Sequence, residues 1–364
     1  MNTKMTNIKY LFSIFFFLGF FSLKAQDDLV LWYDKPAKDW MKEALPLGNG
    51  YIGVMFFGGI GQEQLQFTEG SLWSGGPNSS TSYNYGNKHD SWKYLPQVRD
   101  LIKIGKLDEA NTLAKKYFTG IGPKPTDGKS EWGDYGAQQT MGDLFVSLGH
   151  GNVPVKSYKR QLNIEKGLAN VTYSIGSVKY EREYFGNYPS GMMVYKFKSS
   201  KPSNYTIQYK TPHIKESEVF ENNRYVFDGY VNDNKQRFQT AFQIVTDGRV
   251  NYLSSKVDVE NATYISVFHT AATDYLMEYP KYTGKDYKLT VFKRFEQVDN
   301  SSYENLLKEH ILDYKSLFNR VSLQLKGAKG NKLPTNLRHK AYFEGAIDYG
   351  LEELYFQYGR YLMI

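Results

Sequence analysis

Polar and apolar residues alternate one by one over much of this chain. In VKYEREYF (178–185), Val178, Tyr180, Arg182 and Tyr184 oppose Lys179, Glu181 and Glu183. A period of two places alternate side chains on opposite faces of a pleated strand. Comparable segments are DLFVSL (143–148), NVTYSI (170–175), MMVYKFK (192–198), YTIQYKT (205–211), RYVFDGY (224–230), FQTAFQIVT (238–246) and TYISVFH (263–269). Upstream, Leu31 to Phe67 reads as short strands and glycine turns, with GNG (48–50) and GG (58–59) bracketing YIGVMFF. Many short strands separated by turn residues predict a large antiparallel β-sandwich, so the fold class is mainly β.

The period changes to that of a helix in three places. Leu95, Val98, Leu101 and Ile102, then Leu107, Ala110, Leu113 and Ala114, predict two short helices separated by Gly105. A second amphipathic stretch carries Leu306, Leu307, Ile311, Tyr314, Leu317, Phe318 and Val321 on one side, with Ser301 and Glu304 spaced as a capping box. Two further helical segments cover roughly 335–345 and 350–363. The last has an apolar face of Leu351, Leu354, Tyr355, Tyr358 and Leu362 and stops on Leu-Met-Ile without a terminating signal. Unless that helix docks on the sandwich, its face lacks a partner, and a truncated helical domain is expected.

Residues 1–25 read as a secretory signal peptide. Lys4 and Lys9 precede the apolar run Leu11–Leu23, and Ala25 sits at a plausible cleavage point. The run is too short for a stable membrane span, so export to the periplasm or exterior is expected. There is no cysteine, which removes disulfides and lipid-modified cysteine and leaves stability to packing. Net charge is +7; without Lys4, Lys9 and Lys24 it is +4, with bases and acids interleaved. VKSYKRQ (155–161) is only a local basic cluster, so nucleic acid is not an expected partner.

Candidate chemistry narrows by elimination. His89, His150, His213, His269, His310 and His339 show no zinc-ligand spacing, and no Asp-rich calcium loop occurs, so neither metal nor other cofactor is expected. GPKPTDGKS (122–130) has five residues between Gly122 and Gly128 where a phosphate loop needs four. No G-x-S-x-G nucleophile elbow exists. Carboxylates remain. Glu43, Glu63, Glu69 and Glu131 qualify by residue type, although solvated strand-end carboxylates are the plainer reading. Aromatics make up 16% of the chain, which fits β-rich structure first and sugar-stacking platforms second, and Trp73, Trp132 and Tyr135 are candidate carbohydrate contacts. The plainer reading makes them core or loop anchors.

EALPLGNGYIGVMFFGG (43–59) and QFTEGSLWSGGP (66–77) closely resemble glycoside hydrolase family 95. MGDLFVSL (141–148), REYFGNYPSGMMVYKF (182–197), GYVNDN (229–234), AATDY (271–275), DYKSLFNRVSLQL (313–325) and LEELYFQYGRYLMI (351–364) follow in the same order, so the resemblance covers 29–364. It implies an N-terminal β-sandwich (29–285), a linker helix and loop (286–333) and the truncated start of an (α/α)6 catalytic barrel (334–364). The implied activity is inverting hydrolysis of terminal α-1,2-linked L-fucose from fucosylated glycans, with L-galactose accepted by some members. The family's general acid is a Glu, and its water is held by Asn side chains polarised by an Asp; all lie in the barrel, so no catalytic residue is assigned to this sequence. Thr68, Gly70 and Ser190 depart from the usual family residues. The expected function is therefore an α-L-fucosidase fragment that a downstream barrel fragment can complement. The alternative is a non-catalytic β module with a structural or weak carbohydrate-binding role.

Overall fold

A computed structural model of the chain describes residues 29–79, 90–118, 136–221, 223–298, 301–328 and 332–364. The expected signal peptide, Glu131, Trp132, Tyr135 and the 122–130 loop lie outside the described residues.

The fold is mainly β and antiparallel, with helices after the strands, as the alternation predicts. Four strands form the smaller layer: β2 (Leu45–Gly48), β3 (Ile52–Phe56), β4 (Gln62–Glu69) and β5 (Gly142–Leu148). The larger layer contains β1 (Val30–Tyr33), β6 (Lys156–Asn163), β7 (Leu168–Ile175), β8 (Val178–Asn187), β9 (Met192–Lys210), β10 (Ile214–Glu221), β11 (Arg224–Tyr230), β12 (Arg237–Thr246) and β14 (Lys256–Thr273). Its order is β1-β6-β7-β8-β9-β14-β12-β11-β10, and β13 (Arg249–Leu253) forms a hairpin with β14.

Two long strands tie the layers together. The first part of β9 pairs with β8, its last part pairs with β5, and β14 follows it along both parts. The β14 register slips between Val259 and Tyr264, with Asn261 at φ 56°, opposite the Lys201-Pro202 stretch of β9. A proline that donates nothing to the ladder facing a bulge is how a strand pair turns from one layer into the next.

The core fills the space between the layers. Leu47, Val54, Phe56, Leu65, Phe67, Leu144 and Val146 meet Val171, Tyr184, Tyr195, Phe197, Phe242 and Val267 there. A second apolar cluster lies elsewhere in the fold. Phe185, Met192, Val194, Phe268 and Ala272 pack under α3 (Tyr287–Val298), which buries Tyr287, Val291, Phe295 and Val298, and under Leu306 of α4 (Tyr303–Phe318).

The α4 cap is displaced by one residue from the expected box. Ser302, not Ser301, accepts the Asn305 N–H at 3.1 Å. Leu306, His310, Tyr314 and Phe318 are its buried stripe, and Val321 lies beyond the helix, exposed. The pair α1 (Leu95–Lys103) and α2 (Leu107–Phe118) breaks at Gly105, φ 76°, as expected.

Helices α5 (Thr335–Phe343) and α6 (Tyr349–Tyr361) follow. Asp348 caps α6 and accepts two bonds from Arg338, at 2.8 and 2.7 Å. The α6 face expected to lack a partner is docked instead. Leu354 is buried, and Leu351, Tyr358 and Tyr361 pack against the sandwich core; Tyr355 and Leu362 stay exposed. Among the described residues no helix is long and apolar enough to cross a membrane.

Candidate functional site

Of the residues singled out from the sequence, Glu69 and Trp73 lie at one end of the sandwich, where β4 runs out and the chain enters the loop from Gly70 to Pro77; Glu63 lies near the start of β4, at the other end. That loop has little regular structure, so its backbone groups need side-chain partners. The turn between β11 and β12 supplies them. Gln236 accepts from the Trp73 N–H at 2.9 Å and donates to the Ser71 carbonyl at 2.8 Å. Asn234 donates to the Trp73 and Gly75 carbonyls, both at 2.8 Å, and Asp233 accepts from the Gly75 N–H at 2.5 Å. GYVNDN and GSLWSGG therefore form one unit, although about 150 residues separate them.

Trp73 is half-exposed at 45%. Its backbone anchors the loop, and its indole Nε1 donates to the Gly70 carbonyl at 3.1 Å. The Gly70 N–H donates in turn to the Tyr51 carbonyl at 2.9 Å. Trp73 is thus a loop anchor by its main chain and an exposed, fixed ring by its side chain.

Tyr51 and Tyr188 sit beside it, and neither stood out in the sequence. Their rings stack with centroids 5.5 Å apart and planes 4° apart. Tyr51 ends the β2–β3 turn, where the Asn49 Oδ1 accepts the N–H groups of Tyr51 and Ile52. Tyr188 rides the β8–β9 turn. Asn187 pins that turn to α4 by donating to the Leu306 carbonyl and to Glu309, both at 2.9 Å. Arg294 of α3 lies 4.3 Å from the Tyr51 ring centre and donates to the Ala271 carbonyl at 2.8 Å. Burial lowers the Arg294 pKa, opposed by Tyr51 and Glu69.

Two glycines make this packing possible. Gly50 has φ 77°, and a Cβ there would meet the Tyr188 ring at 3.1 Å. Gly191 has φ 68°, and a Cβ there would lie 2.5 Å from the Arg294 Nε. GNG and PSG carry these glycines: the Tyr188 ring takes the space at Gly50 and the Arg294 side chain the space at Gly191.

Among the described residues, Glu63 and Glu69 do not form a catalytic pair, and Glu43, Glu63 and Glu69 each have structural partners. Glu43 accepts the Lys38 N–H at 2.6 Å, which holds its carboxyl below the usual range. Glu63 is fully buried, so the solvated reading fails for it. It accepts from Arg182 Nη1 and the Tyr184 hydroxyl, both at 2.8 Å, and from the N–H groups of Phe57, Gly58 and Gln64. Glu69 is buried and accepts from the Ser71 N–H at 2.8 Å and hydroxyl at 2.5 Å. Glu63 and Glu69 share β4 six residues apart, about 20 Å along a strand. An inverting acid and base need roughly 6.5–9.5 Å. The site can hold and orient a polar ligand, and its named carboxylates serve the fold.

Beside Tyr188 opens a cleft of about 640 Å³, bordered by Gly48–Gly50, by Asp313, Ser316 and Leu317 of α4 and by Tyr361 and the residues after it. Tyr361 closes it by donating its hydroxyl to the Pro46 carbonyl at 2.8 Å.

Comparison with known proteins matches residues 31–278 to the glycosyl hydrolase family 65 N-terminal domain and residues 302–364 to the glycosyl hydrolase family 95 catalytic domain. Alpha-L-fucosidase 2 of Arabidopsis thaliana is 28% identical over 92% of this chain and 42% of its own length. Probable alpha-fucosidase A of Aspergillus oryzae is 28% identical over 95% of this chain and 48% of its own. The chain thus spans less than half the length of these curated relatives. Among solved structures, a putative kojibiose phosphorylase from human microbiome shares the fold, with a TM-score of 0.50 at 9% identity, covering 81% of this chain and 38% of that one. Over residues 31–278, most of its length, the chain belongs to the glycosyl hydrolase family 65 N-terminal domain family, and residues 302–364 match the family 95 catalytic domain.

Proposed function

We propose that this chain is the scaffold portion of an exported glycoside hydrolase of the α-L-fucosidase type. The observation that carries the reading is the succession of the two family matches on one chain, within relatives named as fucosidases along nearly its whole length. The substrate is a fucosylated glycan, cleaved with inversion at terminal α-1,2-linked L-fucose. Residues 1–25 direct export, 286–333 link the sandwich to the catalytic domain, and 334–364 are that domain's first helices. The bond-breaking groups lie in the rest of a family 95 catalytic domain and not in Glu43, Glu63 or Glu69. The separation of Glu63 from Glu69 and the structural duty of Glu43 support this division.

Free L-fucose, followed by proton NMR after mixing the chain with a 2′-fucosylated oligosaccharide, tests it. The chain alone releases none; with a polypeptide carrying the rest of a family 95 catalytic domain, fucose appears first as the β anomer. Release by the chain alone, abolished by Glu43→Gln or Glu69→Gln, would overturn the division of labour. The half-exposed Trp73 ring favours a second reading, a non-catalytic module that binds glycans weakly or serves only as structure. Titration calorimetry with heats no larger than dilution removes its binding version.

A further inference from the structure

We infer that Tyr188 and the cleft beside it form an oligosaccharide-binding site that acts by stacking and hydrogen bonding, apart from bond cleavage. Only the class of ligand rests on the glycoside hydrolase reading. Tyr188 is 54% exposed although its turn is fixed on both sides: Asn187 ties it to α4, and Asn187 Oδ1 accepts the Ser190 N–H at 2.9 Å. Its ring is held parallel to Tyr51, 37% exposed, and Tyr51 in turn packs with Arg294. An exposed apolar ring has no stabilising duty that requires three elements and two special glycines to hold it still. Such rigidity suits a flat partner, because little freedom is left to lose on binding.

A pyranose is that partner. One face carries C–H groups that pack on an aromatic ring, and its edge carries hydroxyls. Tyr188 lines the cleft together with a wall of α4 residues that includes Asp313 and Ser316, so hydroxyls of a stacked sugar and its neighbours have polar groups to meet there. The Asp313 side chain forms no hydrogen bond or salt bridge with another described residue, leaving both carboxylate oxygens as acceptors for vicinal hydroxyls. A volume of about 640 Å³ exceeds the needs of a single sugar ring, which points to an oligosaccharide. A neutral ligand fits better than an anion, because the carboxylate on that wall would repel a second negative charge.

Saturation-transfer NMR and titration calorimetry on the full chain, with lactose and 2′-fucosylated lactose as probes, test the assignment. Binding is expected with dissociation constants on the order of 1 mM. Tyr188→Ala weakens it about tenfold, the value of one lost ring stack. Tyr188→Phe, which keeps the ring, binds like the parent. Asp313→Asn weakens binding roughly threefold, less than a full charged hydrogen bond, because the amide still accepts. The thermal midpoints of all three variants stay at the parent value. No transfer to either glycan, or Tyr188→Ala binding like the parent, overturns the site. A lowered midpoint for Tyr188→Ala with unchanged binding makes Tyr188 purely structural and also overturns it. Equal affinity for the two glycans supports the site and counts only against fucose preference. Absence of fucose release leaves the binding result standing.

Discussion

Glu63→Gln should be among the most damaging single substitutions available in this chain. The Glu63 carboxylate serves five donors. One oxygen accepts from Arg182 Nη1 and Tyr184; the other accepts from the N–H groups of Phe57, Gly58 and Gln64. Glutamine cannot serve both sets. Whichever way its amide points, the NH2 faces donors and leaves at least two without an acceptor. Each buried orphan costs about 1–3 kcal/mol. The substitution also leaves the Arg182 guanidinium, 1% exposed, without a counter-charge; breaking a buried pair in this way costs about 3–5 kcal/mol. The two figures describe overlapping losses, so the expected cost is about 3–5 kcal/mol and not their sum. Arg182→Met should cost less, because Glu63 keeps Tyr184 and three backbone donors, and only the bonds from Arg182 to Ile60 and Tyr173 go with the charge. Urea unfolding of the full chain, followed by tyrosine fluorescence and circular dichroism, measures both. A Glu63→Gln loss below about 1 kcal/mol, or a larger loss for Arg182→Met, would refute this account.

Stability should fall in acid because of His269, wedged between the Phe67 and Phe242 rings and pushed down from its ordinary 6.5 to about 3 by burial. The unfolded chain takes up that proton near pH 6.5 while the native chain refuses it, so stability present above pH 6.5 is lost progressively as pH drops towards 3, at about 1.4 kcal/mol per unit. Replacing His269 by Gln should flatten the pH dependence of the unfolding free energy by one proton; an unchanged slope would assign the acid sensitivity elsewhere. Ser302→Ala should cost about 1 kcal/mol through the lost α4 cap, and Ser301→Ala almost nothing; a reversed order in urea titrations would restore the box read from the sequence. Gln236→Ala removes two of the bonds from the β11–β12 turn to the Ser71–Trp73 stretch and leaves those of Asn234 and Asp233, so the Trp73 ring should gain mobility, seen as a drop in fluorescence anisotropy, at a stability cost of about 1–3 kcal/mol; unaltered anisotropy would show that the loop is held without Gln236.

Strands whose alternation is unbroken were legible, and RYVFDGY matches β11 residue for residue. The two segments 192–198 and 205–211 proved to be one strand, because Lys201-Pro202 reads as a break where the chain only bends. The β6 strand was hidden because it runs through the basic cluster 155–161: of its two buried residues, Arg160 and Leu162, the first packs its guanidinium on Tyr33, and a charged core residue is invisible to hydropathy. Helix α3 was not read, since Tyr287, Val291, Phe295 and Val298 make a stripe one residue wide. At the candidate site, Trp73 was singled out by residue type. Tyr51 and Tyr188 did not stand out among 31 tyrosines, because what distinguishes them is the space Gly50 leaves for Tyr188 and Gly191 leaves for the Arg294 that packs on Tyr51, and no periodicity encodes that. Glu63 and Glu69 looked alike in sequence and differ only in what surrounds them.

The strands β9 and β14, 19 and 18 residues long, belong to both layers at once. Neither layer can therefore peel away while the other persists, since unzipping one strips hydrogen bonds from a ribbon the other needs. Amide exchange should find the middle of this shared ribbon opening only with the whole domain, at a single free energy. Because its pairings join residues far apart along the chain, such as Asp143 with Lys210 and Val194 with Phe268, that ribbon completes late and refolding should be slow.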